Sequence, residues 1–236
     1  MARGSRPARR PLLLLDLDGT LVDHDAAELT AITGWMRDAG FPSHVDGAAT
    51  ESVWRGISED VFSHYFAGRL GFQEQRRIRV RTFLPLVGVD VSSATDDDLD
   101  AWFDEYGRRY AEAWQPFPDV VDCLTRLRDT HRLAILTNGD QGHQEGKVRR
   151  VGLEGLVEST IATSSLGAAK PDPAAFLGAL DRLGVQPEDA TYVGDRLDVD
   201  ALGAQSAGLT GVWLDRADAG GAPAGVRRIT TLAELP

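Results

Sequence analysis

The chain has 236 residues, of which 42% are hydrophobic, and a formal net charge of −11 at pH 7. This length allows one large domain or a core domain with an insertion, and the apolar fraction is enough to bury a core. The acidic balance argues against nucleic acid or an anionic membrane surface as a partner, because both would be repelled. An anionic substrate would therefore have to be held by local cations.

The N-terminal segment does not have the pattern of an export signal. Residues 1–10 are basic, and the apolar run that follows has only four leucines before Asp16. Such a run is too short for a signal peptide or a membrane span, so we expect a flank without regular structure. The single cysteine, Cys123, excludes an internal disulfide and is typical of a reducing compartment. These features predict a soluble cytoplasmic protein, and they leave both a monomer and a homodimer open.

The first predicted element is a buried strand that ends in two aspartates. Leu12–Leu15 are four consecutive leucines, typical of a central strand of a parallel sheet. Asp16 and Asp18 follow within Asp-Leu-Asp-Gly-Thr, where α/β folds build their sites. One carboxylate can act as a nucleophile and the other as an acid or base, and their proximity implies a divalent cation. A turn with acidic caps is the alternative interpretation.

Residues 23–115 contain no strand-like run and several patterns with helical spacing. The predicted helices cover residues 25–39 with a stop at Gly40, a patch that includes Phe62 and Phe72, residues 76–84, and residues 96–114. Either Ser93 or Thr95 is expected to cap the last of these, before three aspartates that favour the helix dipole. Prolines at 116 and 118 mark the end of the pattern.

From residue 119 onward, the sequence alternates between helix and strand. The predicted helices are 119–129, 144–151, 173–183 and 199–207, and the predicted strands are 133–136, 157–163, 190–193 and 210–214. This rhythm predicts an α/β fold, a doubly wound parallel sheet with a Rossmann-like core. We therefore expect a core formed by residues 1–22 and 116–236, interrupted by an all-helical cap domain at residues 23–115.

Polar residues follow several of the later predicted strands or lie just beyond them. The Thr137 hydroxyl, with the amides of Asn138 and Gly139, can donate hydrogen bonds to an anion. Lys170 supplies a positive charge, and Asp195 adds another carboxylate after a buried strand. Each has an ordinary alternative as a turn threonine, a solvated lysine or a helix cap. Because they share the carboxyl ends of parallel strands, we expect them to converge on one crevice.

Lysine is rare in this sequence. Of the 25 basic side chains only Lys147 and Lys170 are lysines, and the rest are arginines. In so arginine-biased a chain, a lysine is favoured where a compact ammonium group is needed. This scarcity supports a functional interpretation of Lys170.

Four motifs of this sequence together resemble those of the haloacid dehalogenase (HAD) superfamily, in its phosphatase branch. They are Asp-Leu-Asp-Gly-Thr, Leu-Thr-Asn-Gly, Lys-Pro-Asp-Pro and Gly-Asp-Arg-Leu-Asp-Val-Asp. The resemblance covers almost the whole chain. The insertion after the first motif is similar to the helical cap of subfamily I. Within the branch, the second motif and residues 183–208 are similar to N-acylneuraminate-9-phosphatase-like and pyrimidine nucleotidase-like members.

The resemblance implies a role for each acidic residue of these motifs. Asp16 would be the nucleophile that forms an aspartyl-phosphate, and Asp18 would be the acid and base, with its carbonyl on the metal. Asp195 would complete an octahedral Mg²⁺ site with Asp16. Asp200 would orient that site from behind, and Asp198 is the alternative, which only family spacing disfavours.

The resemblance also implies a phosphate-binding set and a reaction. The phosphate-binding residues would be Leu17, Asp18, Thr137, Asn138, Gly139 and Lys170, of which Thr137 and Lys170 would also be catalytic. The implied activity is a Mg²⁺-dependent phosphomonoesterase acting on a small phosphorylated metabolite, such as a sugar phosphate or nucleoside monophosphate. A sugar phosphomutase of the same fold and a non-catalytic phosphoryl-binding module remain alternatives.

Two rival activities of the superfamily disagree with particular residues of this sequence. Dehalogenases resemble the fold but carry an aromatic residue where this chain has Asp18. Phosphonatases need a lysine in the cap, and residues 23–115 contain none.

Substrate choice is expected to depend on the insertion. Arg77 and Arg81 lie four residues apart on a predicted helix, where they can meet an anionic group of the substrate. A solvated helix face that pairs with acidic residues is the alternative. His24 adjoins the start of the insertion and can touch the leaving group, with a structural histidine as the alternative. The aromatic residues Trp54, Phe62, Tyr65 and Phe66 are expected to be core.

Overall fold

The structure, a computed structural model, describes residues 10–38 and 47–236. By its internal contacts the chain divides into two compact units. One contains the residues up to Val22 together with Pro116–Pro236, and the other is Asp23–Gln115. The flank predicted at residues 1–10 lies, except for Arg10, outside the described residues, as does the helix stop predicted at Gly40.

The first unit is built on a parallel sheet. Its strands in the described chain are β1 (Leu12–Leu15), β2 (Arg132–Thr137), β3 (Ser159–Ala162), β4 (Ala190–Gly194), β5 (Thr210–Leu214) and β6 (Arg227–Ile229). They pair in the order β3-β2-β1-β4-β5-β6, and every neighbouring pair is parallel. The predicted α/β fold with a doubly wound parallel sheet is thereby confirmed, and β1 lies at its centre.

The described chain also contains eight α-helices. They are α1 (His24–Asp38), α2 (Gly47–Phe66), α3 (Phe72–Leu86), α4 (Asp96–Ala113), α5 (Val120–Leu127), α6 (Gln141–Arg150), α7 (Pro173–Leu183) and α8 (Leu202–Ser206). Helix α8 is preceded by a π-helical turn, Leu197–Ala201, so the single helix predicted at 199–207 is wrong in its first turn. Prediction and structure agree to the residue for α7 and β5.

The core of the first unit covers both faces of β1. Leu12 and Leu14 pack with Tyr192 of β4 and with Phe176 of α7 on one face. Leu13 and Leu15 point to the opposite face, because side chains alternate along a strand, and they are buried as well. The first polar side chain after this strand is therefore Asp16, at its carboxyl end.

The second unit consists, in its described residues, of helices α1 to α4. Helix α1 packs against α2 and α4, and α3 packs against the same two helices. The fully buried indole of Trp54 lies 5.1 Å from the ring of Phe83 and 4.6 Å from that of Tyr106, measured between ring centroids. Thr95 caps α4, since its hydroxyl accepts a hydrogen bond from the Asp98 N–H.

The aromatic residues predicted as core of the insertion differ in burial. Trp54 is fully buried, whereas Phe62 and Tyr65 are partly buried. Phe72 begins α3 and is not part of the preceding helix. The side chain of Phe66 lies outside the described part of the structure.

No helix in the described part of the chain combines the length and the apolar character needed to cross a bilayer. A cytoplasmic location, the absence of a nucleic-acid partner and a monomeric or homodimeric state remain predictions.

Candidate active site

Three predicted site residues meet at one edge of the sheet. Asp16 directly follows β1, Thr137 ends β2, and Asp195 directly follows β4. Because β2 and β4 flank β1 in parallel, the carboxyl ends of the three strands are adjacent. The Asp16 N–H donates to the carbonyl of Val193 at 2.9 Å, which extends the ladder as far as this aspartate.

Lys170 is the buried cation of this edge. Its Nζ lies 2.6 Å from Oδ1 of Asp16, 2.7 Å from Oδ1 of Asp200 and 2.7 Å from the hydroxyl of Tyr192. Burial by itself would lower the pKa of Lys170, but the two carboxylates outweigh it and raise this pKa above its ordinary value. All three ammonium protons thus have acceptors, and the group is held charged and fixed.

Three carboxylates surround that lysine closely enough to share a cation. Asp16, Asp195 and Asp200 each present an oxygen within 4.8 Å of the others. Burial, together with the charge of Asp200, raises the pKa of Asp195 to about 6. Burial also raises the pKa of Asp16 well above its ordinary range, although Lys170 opposes this. Carboxylates crowded in this way ionise readily only when a cation joins them.

Asp18 is engaged by helix α6. The Nζ of Lys147 lies 2.6 Å from Oδ1 of Asp18, and Nε2 of Gln144 donates to Oδ2 at 3.2 Å. Both donor residues are buried. Neither was predicted as a site residue, nor was Tyr192. The scarcity of lysine in the sequence, which supported a role for Lys170, applies equally to Lys147. It is the signal from which Lys147 could have been predicted as a site residue.

The four aspartates near these lysines, Asp16, Asp18, Asp195 and Asp200, form a group that we call the acidic cluster. When ionised they carry four negative charges, of which the two lysine ammonium groups compensate two. The remainder equals the charge of one divalent ion. Carboxylate oxygens are also the ligands that Mg²⁺ prefers. The donor set therefore fits Mg²⁺ in both chemistry and charge.

The loop after β2 is tied to the lysine by its asparagine. The Nδ2 of Asn138 donates to the carbonyl of Lys170 at 3.0 Å, and the Lys170 N–H donates to Oδ1 of Asn138 at 2.9 Å. The Gly139 N–H donates to Oγ1 of Thr163 at 3.4 Å. Asn138 thus lies beside Lys170, and the role of the donors of Thr137, Asn138 and Gly139 toward phosphate remains a prediction.

The structure distinguishes the two candidates in the last motif. Asp200 is buried, and its Oδ2 accepts a hydrogen bond from the Arg196 N–H at 3.0 Å. The Asp198 side chain is 74% exposed and lies 3.8 Å from the guanidinium of Arg196. Asp200 and not Asp198 therefore belongs to the acidic cluster, and its orienting role remains a prediction.

The arginines predicted to select substrate have acidic partners within the helical unit. The Arg77 guanidinium donates to both carboxylate oxygens of Asp100, at 2.7 and 2.5 Å, and lowers the pKa of Asp100 to about 2. Arg77 also reaches Asp96 at 2.7 Å, and Arg81 lies 3.4 Å from Asp96. These contacts match the alternative interpretation, a helix face that pairs with acids, so a role in substrate choice remains a prediction.

His24 belongs to a polar group within the same unit. Its Nδ1 lies 2.5 Å from the hydroxyl of Tyr110, and its Nε2 lies 3.7 Å from Oε2 of Glu28. The Tyr106 hydroxyl donates to the other oxygen of Glu28 at 3.2 Å. Both ring nitrogens of His24 thus face polar groups of α1 and α4, and its contact with a leaving group remains a prediction.

Gly19 packs directly against a residue of the acidic cluster. It lies two residues after Leu17, whose carbonyl accepts the N–H groups of Leu21 and Val22, both at 2.8 Å, in a tight turn. Its φ is +82°, and a Cβ at this position would lie 2.5 Å from Oδ2 of Asp195. A side chain here therefore meets both backbone strain and a clash with a proposed metal ligand.

We expect Gly19→Ala to lower the free energy of unfolding by more than the roughly 1–2 kcal/mol that a left-handed alanine costs, because it also displaces Asp195. Gly152 provides the matched control, since its φ is +76° and no atom lies within 4 Å of a Cβ there. Gly152→Ala should lower the free energy of unfolding only by the amount that a left-handed alanine costs. Urea unfolding of both variants measures the difference, and equal losses would refute the clash with Asp195.

The comparisons with known proteins all point to one protein family. A model of haloacid dehalogenase-like hydrolases matches residues 11–208. A phosphoserine phosphatase of Thermus thermophilus is 42% identical over 226 residues, which cover 87% of this chain and 88% of that protein. An N-acylneuraminate-9-phosphatase of Rattus norvegicus is 38% identical over 106 residues, 44% of this chain and 42% of that protein.

Part of this similarity is confined to a segment. The alignments to the N-acylneuraminate-9-phosphatases, and to a glyceraldehyde 3-phosphate phosphatase of Methanopyrus kandleri, span only 40–44% of those proteins' length. Among solved structures, the HAD-hydrolase YfnB from Bacillus subtilis, bound to magnesium, has a TM-score of 0.77 and 25% identity. The match covers 96% of this chain and 97% of that one.

Proposed function

The chain belongs to the haloacid dehalogenase-like hydrolase family, as its four motifs predicted, and on this premise we propose that it is a Mg²⁺-dependent phosphomonoesterase acting on a small phosphorylated metabolite. The observation that carries the proposal is the buried Lys170 ammonium, which bridges Asp16 and Asp200 at the sheet edge where Asp18 and Thr137 also lie. The relatives that are phosphatases of small phosphorylated compounds support it.

The proposed reaction has two steps. In the first, a carboxylate oxygen of Asp16 attacks phosphorus, the bond between phosphorus and the ester oxygen breaks, and Asp18 donates a proton to the departing oxygen. In the second, Asp18 takes a proton from water as the water oxygen attacks the aspartyl-phosphate. Inorganic phosphate leaves, and the Asp16 carboxylate and the protonated Asp18 are regenerated.

The surrounding groups hold the phosphoryl oxygens while charge moves between attacking and leaving atoms. Lys170 supplies a fixed positive charge beside Asp16, and the Thr137 hydroxyl with the amides after it supplies hydrogen-bond donors. Asp16, Asp195 and the carbonyl of Asp18 would hold Mg²⁺, which when bound offsets the negative charge of phosphate and carboxylates. Asp200 accepts a hydrogen bond from Lys170 and so orients the lysine beside these ligands.

The proposal is tested by phosphate release from phosphoserine, sugar phosphates, nucleoside monophosphates and an aryl phosphate, with Mg²⁺ or with EDTA. We expect release that EDTA abolishes and Mg²⁺ restores. The absence of release from all these compounds would contradict the phosphatase proposal. Transfer of phosphate between two positions of a sugar, without release, would favour the phosphomutase.

Replacing Asp195 by Asn tests the metal site within this assay. We expect the Mg²⁺ concentration for half-maximal activity to rise by more than about tenfold, because loss of even an outer partner of a metal ligand costs roughly 10–100-fold in affinity. Asp198→Asn is the matched control, since Asp198 lies in the same motif but outside the acidic cluster. Calorimetric titration with Mg²⁺ measures the affinity directly, and an unchanged value would remove Asp195 from the site.

A further inference from the structure

Helix α6 presents two donors to a single carboxylate. Gln144 and Lys147 lie three residues apart and therefore share one face of the helix. Lys147 contacts Oδ1 of Asp18 at 2.6 Å, and Gln144 donates to Oδ2 at 3.2 Å. We propose that these two residues position the Asp18 carboxylate for proton exchange with the leaving group and with water. This inference rests on the proposed function, because it concerns the role of Asp18 there.

The ion pair is sheltered on one side and open on the other. The Lys147 side chain is only 2% exposed, whereas that of Asp18 is 26% exposed. A buried ammonium is poorly hydrated and depends on its carboxylate partner, unlike the lysines of surface ion pairs. The exposed part of the Asp18 side chain can be reached by a substrate oxygen. Lys147 thus holds the carboxylate from a buried position while the carboxylate itself stays partly accessible.

Gln144 links Asp18 to the loop after β2. The same Nε2 lies 3.1 Å from Oγ1 of Thr137 and 2.9 Å from the carbonyl of Asn138. The start of α6 is fixed as well, since Oδ1 of Asp140 accepts the His143 N–H at 2.9 Å. The group that transfers protons and the residues proposed to hold phosphate are therefore positioned by one helix.

The choice of lysine agrees with this geometry. Lys147 makes its contact with Asp18 through a single nitrogen within a buried space. A guanidinium is planar and larger, and its paired donors suit both oxygens of a carboxylate, one of which Gln144 already occupies. The other 23 of the 25 Lys and Arg side chains of the sequence are arginines, and both lysines contact the acidic cluster.

The test compares two kinds of substrate in Lys147→Met, which keeps the apolar stem and removes the ammonium. An alkyl phosphate such as phosphoserine needs a proton on its leaving oxygen, whereas p-nitrophenyl phosphate releases a stable phenolate. We expect kcat/KM for the alkyl ester to fall roughly 100-fold, the loss typical of a 1 Å misplacement, and that for the aryl ester to fall much less. Equal losses on both substrates would overturn the positioning role.

Arg149→Met is the matched control. Arg149 lies on the same helix, its side chain is 63% exposed, and it pairs with Glu154 at 3.6 Å. Loss of this charge should leave the rates for both substrates unchanged. If Arg149→Met also lost activity on the alkyl ester alone, the effect would come from removing a positive charge anywhere on α6. The contact between Lys147 and Asp18 would then not be its cause.

A double variant shows whether Lys147 acts through Asp18. With p-nitrophenyl phosphate, Asp18→Ala and Asp18→Ala/Lys147→Met should have the same kcat/KM, and a further loss in the double variant would overturn the inference. If Lys147→Met does not fold, Gln144→Leu provides the same comparison of substrates. An inactive wild-type chain would refute the proposed function, whereas an active one with equal losses would refute only this inference.

Discussion

Asp16→Asn is expected to abolish phosphate release while the protein remains folded. The amide cannot replace the carboxylate as a nucleophile, so kcat should fall by roughly 10⁴-fold or more. Asparagine has nearly the same shape, and Lys170 keeps its contacts with Asp200 and the Tyr192 hydroxyl. Steady-state phosphate release, measured beside thermal unfolding, separates the chemical effect from a structural one.

The stability of this variant carries separate information. Burial and the charges of Asp195 and Asp200 raise the pKa of Asp16, so ionised Asp16 is not a source of stability in the metal-free protein. The unfolding temperature of Asp16→Asn in EDTA should therefore be at least that of the wild type. Asp198→Asn, in the exposed part of the last motif, should keep both activity and stability. Turnover by Asp16→Asn close to that of this control would contradict the nucleophilic mechanism.

The fold could be predicted largely because the strands of its sheet are short and strongly apolar. The four leucines of β1 are typical of a strand covered on both faces, and the structure buries all four. Helix α7 begins at a proline after an aspartate cap and ends before Gly184, signals that are read without tertiary information. Strand β6 was missed because it has three residues, two of them arginines, and forms only where β5 is present to pair with it.

The candidate site was predictable where a residue directly follows a strand. Asp16 and Asp195 are of this kind, since parallel strands bring their carboxyl ends to one edge. Gln144, Lys147 and Tyr192 are not, because they approach the cluster from within a helix or a strand. A tyrosine in an apolar strand has the pattern of a core residue, and only the tertiary structure brings its hydroxyl to Lys170.

The ion pairs between helices could not be predicted either, because they too depend on the tertiary structure. The spacing of Arg77 and Arg81 places them on one face of α3, but it does not say what that face meets. The structure pairs them with Asp96 and Asp100 of α4, residues that are 15 to 23 positions away in the chain. Such pairing depends on how α3 packs against α4, which local spacing does not determine.

Lys170→Met is expected to have the largest effect on stability as well as to abolish activity. It leaves the Asp16 and Asp200 carboxylates buried beside each other without their shared cation. Removing one partner of a buried ion pair typically costs about 3–5 kcal/mol, a large share of the stability of a domain. Urea unfolding in EDTA, with phosphate release measured in Mg²⁺, tests both effects, and near wild-type stability would contradict the bridging contact.

The pH dependence of that loss identifies its cause. The pKa of Asp16 is already raised in the folded protein, and removing Lys170 takes away the influence that lowers it. A group whose folded pKa lies above its unfolded value favours the folded state increasingly as the pH falls, because folding then takes up a proton. The deficit of Lys170→Met relative to the wild type should therefore shrink toward acidic pH in EDTA. A deficit that stays constant with pH would point to lost packing of the lysine stem.

The second lysine provides the comparison that completes this argument. Lys147→Met also removes one ammonium from the acidic cluster, but the Asp18 carboxylate it leaves behind is 26% exposed, whereas that of Asp16 is 8% exposed. Water can hydrate Asp18 after the loss of its partner, so the free energy of unfolding should fall less than in Lys170→Met. Lys170→Met removes the cation shared by two buried carboxylates, whereas Lys147→Met removes the cation beside one partly exposed carboxylate. The difference between their free energies of unfolding therefore measures how much the bridge between Asp16 and Asp200 contributes to stability.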